Sequence, residues 1–110
     1  MKKYTDTHEW IDPETGEIGI SAHAQKELGD IVYVELPTLG ATVRKGDPLA
    51  VLESTKAAAD VYAPVSGTVE AVNLDLKEKP EWINQSPLEK GWIARLQITH
   101  PEELDGLHLE

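Results

Sequence analysis

Residues 48–73, PLAVLESTKAAADVYAPVSGTVEAVN, constrain this chain more than any other stretch. Before a single lysine, Leu49, Val51 and Glu53 alternate with Ala50, Leu52 and Ser54. After it, Val61, Ala63 and Val65 lead to Gly67, and Val69, Ala71 and Asn73 then alternate with Thr68, Glu70 and Val72. A period of two sends successive side chains to opposite faces, so both runs read as strands. Pro64 and Gly67 punctuate a turn. Between the runs sits Lys56, followed by Ala57, Ala58 and Ala59. A long cation among small side chains at a hairpin bend points outward with nothing bulky to shield it. That is one way to present an amine to a modifying enzyme, although an ordinary solvated hairpin lysine has the same local pattern.

The rest of the chain has the same texture. His8 to Ile11 run into Asp12-Pro13-Glu14-Thr15-Gly16, a turn by composition, and Glu17 to Ile20 return as a strand. Ser21 suits a helix N-cap, Ala22 to Leu28 are mostly helix formers, and Gly29 suits the stop position. Asp30 to Leu36 read as a strand ended by Pro37. Leu39-Gly40 and Gly46-Asp47 are turns around a short strand, Ala41 to Arg44. Leu74 to Pro80 read as an exposed connection and Asn84 to Pro87 as a turn. Trp92 to Ile98 alternate as the last strand, and Pro101 opens a short helical turn. Many short strands with Gly and Pro between them predict a mainly all-β domain, a barrel or sandwich, with one or two short helices.

Composition narrows the partners. Over 110 residues, 20 acidic side chains face 10 basic ones, a net charge of −10. Nucleic acid and anionic membrane both reward Lys and Arg, so neither is expected. The acidity fits docking onto basic patches of other proteins, and equally a solubilising surface. There is no cysteine, hence no disulfide or thiolate-bound metal, and redox chemistry would need an added group. His8, His23, His100 and His108 lack zinc-ligand spacing, so no metal is expected. No serine-hydrolase elbow or phosphate loop occurs. Trp10, Trp82 and Trp92 read as core or interface packing. Met1 to Asp6 lack the apolar run of a signal peptide and no stretch has the length of a membrane span, so the expected location is cytoplasmic.

The segment Leu52-Glu53-Ser54-Thr55-Lys56-Ala57-Ala58-Ala59-Asp60, followed by Pro64-Val65-Ser66-Gly67, resembles the lipoyl attachment site of glycine cleavage system H proteins. The similarity extends to Lys3-Tyr4, Thr7-His8-Glu9-Trp10, Gly19-Ile20-Ser21, Ala24-Gln25, Leu28 to Val32, Val34 to Pro37, Asn84, Pro87 and Gly91-Trp92. It covers roughly residues 3–105. Biotin carriers place methionines beside the lysine, whereas here the neighbours are Thr55 and Ala57. The family usually continues into a longer helical tail, and this chain stops at Glu110.

The resemblance implies one carrier domain over residues 1–110, a flattened barrel-sandwich hybrid of two small antiparallel sheets with the lysine at a hairpin tip. It implies a carrier, not an enzyme. Lipoic acid would be joined by an amide to Lys56 and would shuttle the aminomethyl group of glycine. The partners would be a pyridoxal-phosphate glycine decarboxylase, a folate-dependent aminomethyltransferase, a flavin dihydrolipoyl dehydrogenase and a lipoyl-attaching enzyme. Glu53, Asp60 and Gly67 would serve recognition during lipoylation, Gly67 by allowing a tight bend that places Lys56. Thr7, Glu9 and Asp60 would line a cleft holding the loaded arm. Read from the residues alone, Glu9 is an ordinary strand-end carboxylate and Asp60 a turn residue. Other readings are a relay donating lipoyl groups to other enzymes, a lipoyl domain of a 2-oxoacid dehydrogenase, and an interaction module with Lys56 unmodified.

Overall fold

The computed structural model describes residues 1–109. Strand β1 (Lys3–Tyr4) leads to β2 (Glu9–Ile11), which pairs antiparallel with β3 (Glu17–Ile20), Trp10 opposite Gly19. The reversal between them is fixed by Asp12, whose side chain accepts from Glu14 N and whose carbonyl accepts from Gly16 N at 2.7 Å. Helix α1 (Ala22–Leu28) starts as its sequence dictates, Ser21 Oγ accepting from Ala24 N at 3.1 Å. It stops at Gly29, whose φ of 84° disfavours any side chain.

Strand β4 (Ile31–Glu35), β5 (Thr42–Val43), β6 (Pro48–Ser54), β7 (Ala58–Tyr62), β8 (Gly67–Val72) and β9 (Ala94–Ile98) complete two antiparallel sheets. One has six strands in the order β1-β2-β3-β9-β8-β5, and the other three, β4-β6-β7. The body measures 36 × 29 × 20 Å, the flattened two-sheet architecture expected. The alternation of β6 explains its position: Ala50 and Leu52 are buried while Glu53 is exposed. One core patch joins the small sheet to Ile20, Leu76, Ile83 and Ile93. A second gathers Ile11, Ile18, Leu49, Val65, Val69 and Leu96. By area, each fully buried Ile or Leu contributes about 1.5–3 kcal/mol.

Four expectations need correction. Asn84 and Gln85 are not a turn but the end of a second helix, α2 (Glu81–Gln85), formed because Ile83 reaches the core. The connection after Asn73 is a 3-10 helix, Leu74–Lys77, whose Leu76 is wholly buried. The last strand starts at Ala94, because Ile93 N instead donates to Ile18 O at 2.7 Å and Asn73 Nδ2 donates to Trp92 O. Gly67 is no bend. It is the buried first residue of β8, between Val43 and Ile98, and a β-carbon there would lie 2.6 Å from Gln97 O. It is glycine because the β9 backbone comes so close, and it sits in the sheet that does not carry the lysine turn.

Candidate functional site

The lysine turn joins β6 to β7 and is closed by Ser54, whose backbone N donates to Ala57 O at 2.8 Å and whose hydroxyl adds further bonds. Ser54 Oγ accepts from Lys56 N and Ala57 N, each at 3.1 Å, and donates to Ala57 O. The serine side chain thus reinforces the backbone bond of a tight turn. Thr55 N donates to Asp30 O at 3.1 Å, fastening the turn to the chain leaving α1. Lys56 is exposed and, among the described residues, makes no ion pair. Its aliphatic stem lies along Gly29, where a β-carbon would stand 3.4 Å from Lys56 Cε. The backbone beneath this part of the stem is therefore a residue with no side chain.

Leu28, the residue before Gly29, lines a cleft of about 250 Å³ between α1, β2 and β7. Thr7, Glu9 and Asp60, chosen from sequence for one cleft, all line it. Thr7 and Asp60 are exposed at its walls and Glu9 is buried. The position of Glu9 is built, not incidental. Its Oε1 accepts from the hydroxyls of Thr5 and Thr7, and its Oε2 accepts from Tyr62 N at 3.1 Å. A buried carboxylate needs such partners, since desolvation without them is costly. Oε1 is saturated by two donors, while Oε2 keeps one lone pair.

Glu53 is exposed on the outer face of the small sheet, opposite Tyr33 and Ala58, three residues before the lysine. Asp60 lies in the next row, opposite Val51. Gly67 is apart from this group in the other sheet. A second opening, about 300 Å³ beside Leu36, Pro37 and Leu49, is lined by none of the selected residues.

Sequence reasoning missed Ser54, Gly29, Thr5 and Tyr62. Ser54 carries a signal, a hydroxyl two residues before the bend. The Tyr62 contribution is a backbone N–H and leaves no trace in side-chain type. His8 was also missed, a cleft-lining residue with φ of 71° whose ring lies 4.6 Å from that of His23. Among the described residues, no cluster of three or more potential ligands could hold a metal, and no helix is long and apolar enough to cross a membrane.

Residues 2–110 match the family model described as Glycine cleavage H-protein. A glycine cleavage system H protein of Pseudoalteromonas atlantica is 51% identical over 108 residues, covering 96% of this chain and 84% of that one. The H protein of Thermotoga maritima is 50% identical over 109 residues, covering 97% and 88%. The crystal structure of a glycine cleavage system H protein from Mycobacterium marinum superposes with a TM-score of 0.82 at 37% identity, covering 89% of this chain and 84% of that one.

Proposed function

This chain belongs to the glycine cleavage H-protein family and is a lipoyl carrier of the glycine cleavage system, and from that premise we propose that Lys56 is the residue on which it carries the lipoyl group. The observation behind the proposal is the exposed, unpaired Lys56 amine on a turn fixed by Ser54, against a glycine and next to an acceptor-lined cleft. The residues fit the group: the amine is open to an attaching enzyme, and Gly29 leaves space for the modified stem.

Once attached, the lipoyl group supplies redox-active sulfur chemistry and the point at which the one-carbon amine is carried. The chain, which has no cysteine, contributes position and environment instead. Ser54 fixes where the arm starts. Glu53 and Asp60, the exposed carboxylates flanking the turn, are read by the lipoyl-attaching enzyme. Thr7, Glu9 and Asp60 receive the amine-bearing end of the arm, because a carboxylate forms charge-assisted hydrogen bonds with an ammonium and a walled cleft excludes water. Tethering keeps the carried group at high effective concentration near each docked active site. The partners in this reading are the pyridoxal-phosphate glycine decarboxylase, the folate-dependent aminomethyltransferase, dihydrolipoyl dehydrogenase and the attaching enzyme. The working location is the cytoplasm, and residues 1–110 act as one carrier domain.

Intact mass measurement on protein from its native cell tests the assignment. The expected result is one lipoyl adduct on the wild type and none on a folded Lys56→Arg variant. Unmodified wild-type protein, or an adduct retained by Lys56→Arg, overturns it.

A further inference from the structure

One buried side-chain polar atom among the described residues has no hydrogen-bond partner, Nδ1 of His8. It belongs to a residue in the wall of the lysine-side cleft. Its backbone is also exceptional: His8 is the one non-glycine residue among those described with positive φ, 71°, a region that disfavours a β-carbon. Neighbours hold it there. His8 N donates to Thr5 O at 3.1 Å, and its carbonyl accepts from Ser21 N at 2.8 Å. The ring packs on His23, which pairs through Nε2 with Glu27 Oε1 at 2.6 Å. A strained, braced imidazole with a dry, unpartnered nitrogen forgoes hydrogen-bond energy that a ligand N–H would restore.

The other polar groups of the cleft show which ligand fits. Glu9, Glu27 and Asp60 are carboxylates, and the Thr7 hydroxyl already donates to Glu9. The cleft therefore offers acceptors and no free hydroxyl donor, which selects a group rich in N–H. A primary ammonium has three N–H bonds to place. Glu9 Oε2 has one lone pair left, and Asp60 supplies a second acceptor.

We propose that His8 is a positioning residue of this cleft, its imidazole accepting through Nδ1 the third N–H of a primary ammonium at the end of the arm. This rests on the cleft reading given above. A half-turn of the ring about Cβ–Cγ exchanges the Nδ1 and Cδ2 edges and keeps the ring plane against His23 without moving the backbone, and the role of His8 requires that this turn bring Nδ1 to the cleft. An arm end with no N–H donors gains nothing from His8, and the residue thereby discriminates the aminated arm from the bare one.

The test uses full-length lipoylated protein loaded from glycine by the decarboxylase and then isolated. Two substitutions separate the acceptor from the backbone. His8→Gly tolerates the left-handed conformation and lacks the acceptor. His8→Asn tolerates it too and keeps an acceptor, Oδ1, at the branch point where Nδ1 stood. The lifetime of the loaded form, followed by intact mass, is expected to fall about tenfold in His8→Gly and to stay within about twofold of wild type in His8→Asn. In the wild type the His8 Nδ1 nitrogen resonance is expected to move on loading. An unshifted resonance, or equal losses in both variants, overturns the role of His8. If Glu9→Gln shortens the lifetime and His8→Gly does not, the cleft reading stands and the His8 role falls. If neither substitution matters, both fall.

Discussion

The carboxylate of Glu9 accepts the backbone N–H of Tyr62 at 3.1 Å, linking the first strand of the opening hairpin to the strand leaving the lysine turn. The two residues belong to different sheets. One side chain therefore serves as an inter-sheet tie and as a wall of the cleft beside Lys56.

That double duty can be separated by substitution. Glu9→Ala leaves the Tyr62 N–H and two threonine hydroxyls without their acceptor, and is expected to cost about 2 kcal/mol of unfolding free energy. Glu9→Gln can turn its carbonyl to Tyr62 while the threonine hydroxyls accept from its amide, so its cost should stay below about 1 kcal/mol. Denaturant titration measures both. Equal destabilisation by the two would mean that charge, not hydrogen-bond count, holds the sheets together.

Gly67 gives a prediction that departs from the sequence reading. With a β-carbon placed 2.6 Å from Gln97 O, Gly67→Val must push β8 from β9, at a cost of about 1–3 kcal/mol. Lipoylation should fall only as the folded fraction falls. A fully folded Gly67→Val protein with selectively poor lipoylation would restore the bend reading.

What could be read in advance follows from how local the causes are. Period-two alternation and Ser21, Gly29 and Pro101 at their caps are local, and β6, α1 and the 3-10 helix Pro101–Gly106 lie where they indicate. Helix α2 is too short for a periodic signal, and Asn84, Ser86 and Pro87 look like turn formers until Ile83 is seen in the core. Leu76 is one of two leucines in a charged stretch, buried because it packs with the small-sheet core while Leu74 stays exposed. Thr7, Glu9 and Asp60 come from family resemblance; their common cleft is a tertiary fact, since Asp60 lies 51 positions after Glu9.

Asn84 acts as a substitute strand neighbour for the start of β4. Its Oδ1 accepts from Ile31 N at 2.8 Å and its Nδ2 donates to Ile31 O at 3.2 Å, while Gln25 Nε2 adds a third bond at 3.3 Å. The side chain satisfies a strand end that would otherwise present unpaired backbone groups. Asn84→Ala is expected to lower stability by about 2 kcal/mol and to speed amide exchange at Ile31. Unchanged exchange there would show that solvent satisfies the same groups.

Acid should loosen the far end of the chain at one carboxyl. Glu103 accepts from Ser66 N at 2.7 Å and Ser66 Oγ at 3.2 Å, docking the 3-10 helix Pro101–Gly106 on the turn before β8. The Ser66 N–H chiefly holds the Glu103 pKa below the usual carboxylate value; the Ser66 hydroxyl, His100 and Lys45 assist and desolvation opposes. A carboxyl with a lower pKa folded than unfolded stabilises the fold above its unfolded value and loses that contribution as pH falls through the folded one. The docking is therefore complete above pH about 4.3 and fades below it. The Ser66 amide proton should report this as a titration whose midpoint lies under the ordinary carboxylate value, and Glu103→Gln should flatten it. A midpoint at or above that value would mean the Ser66 bonds do not favour the charged form.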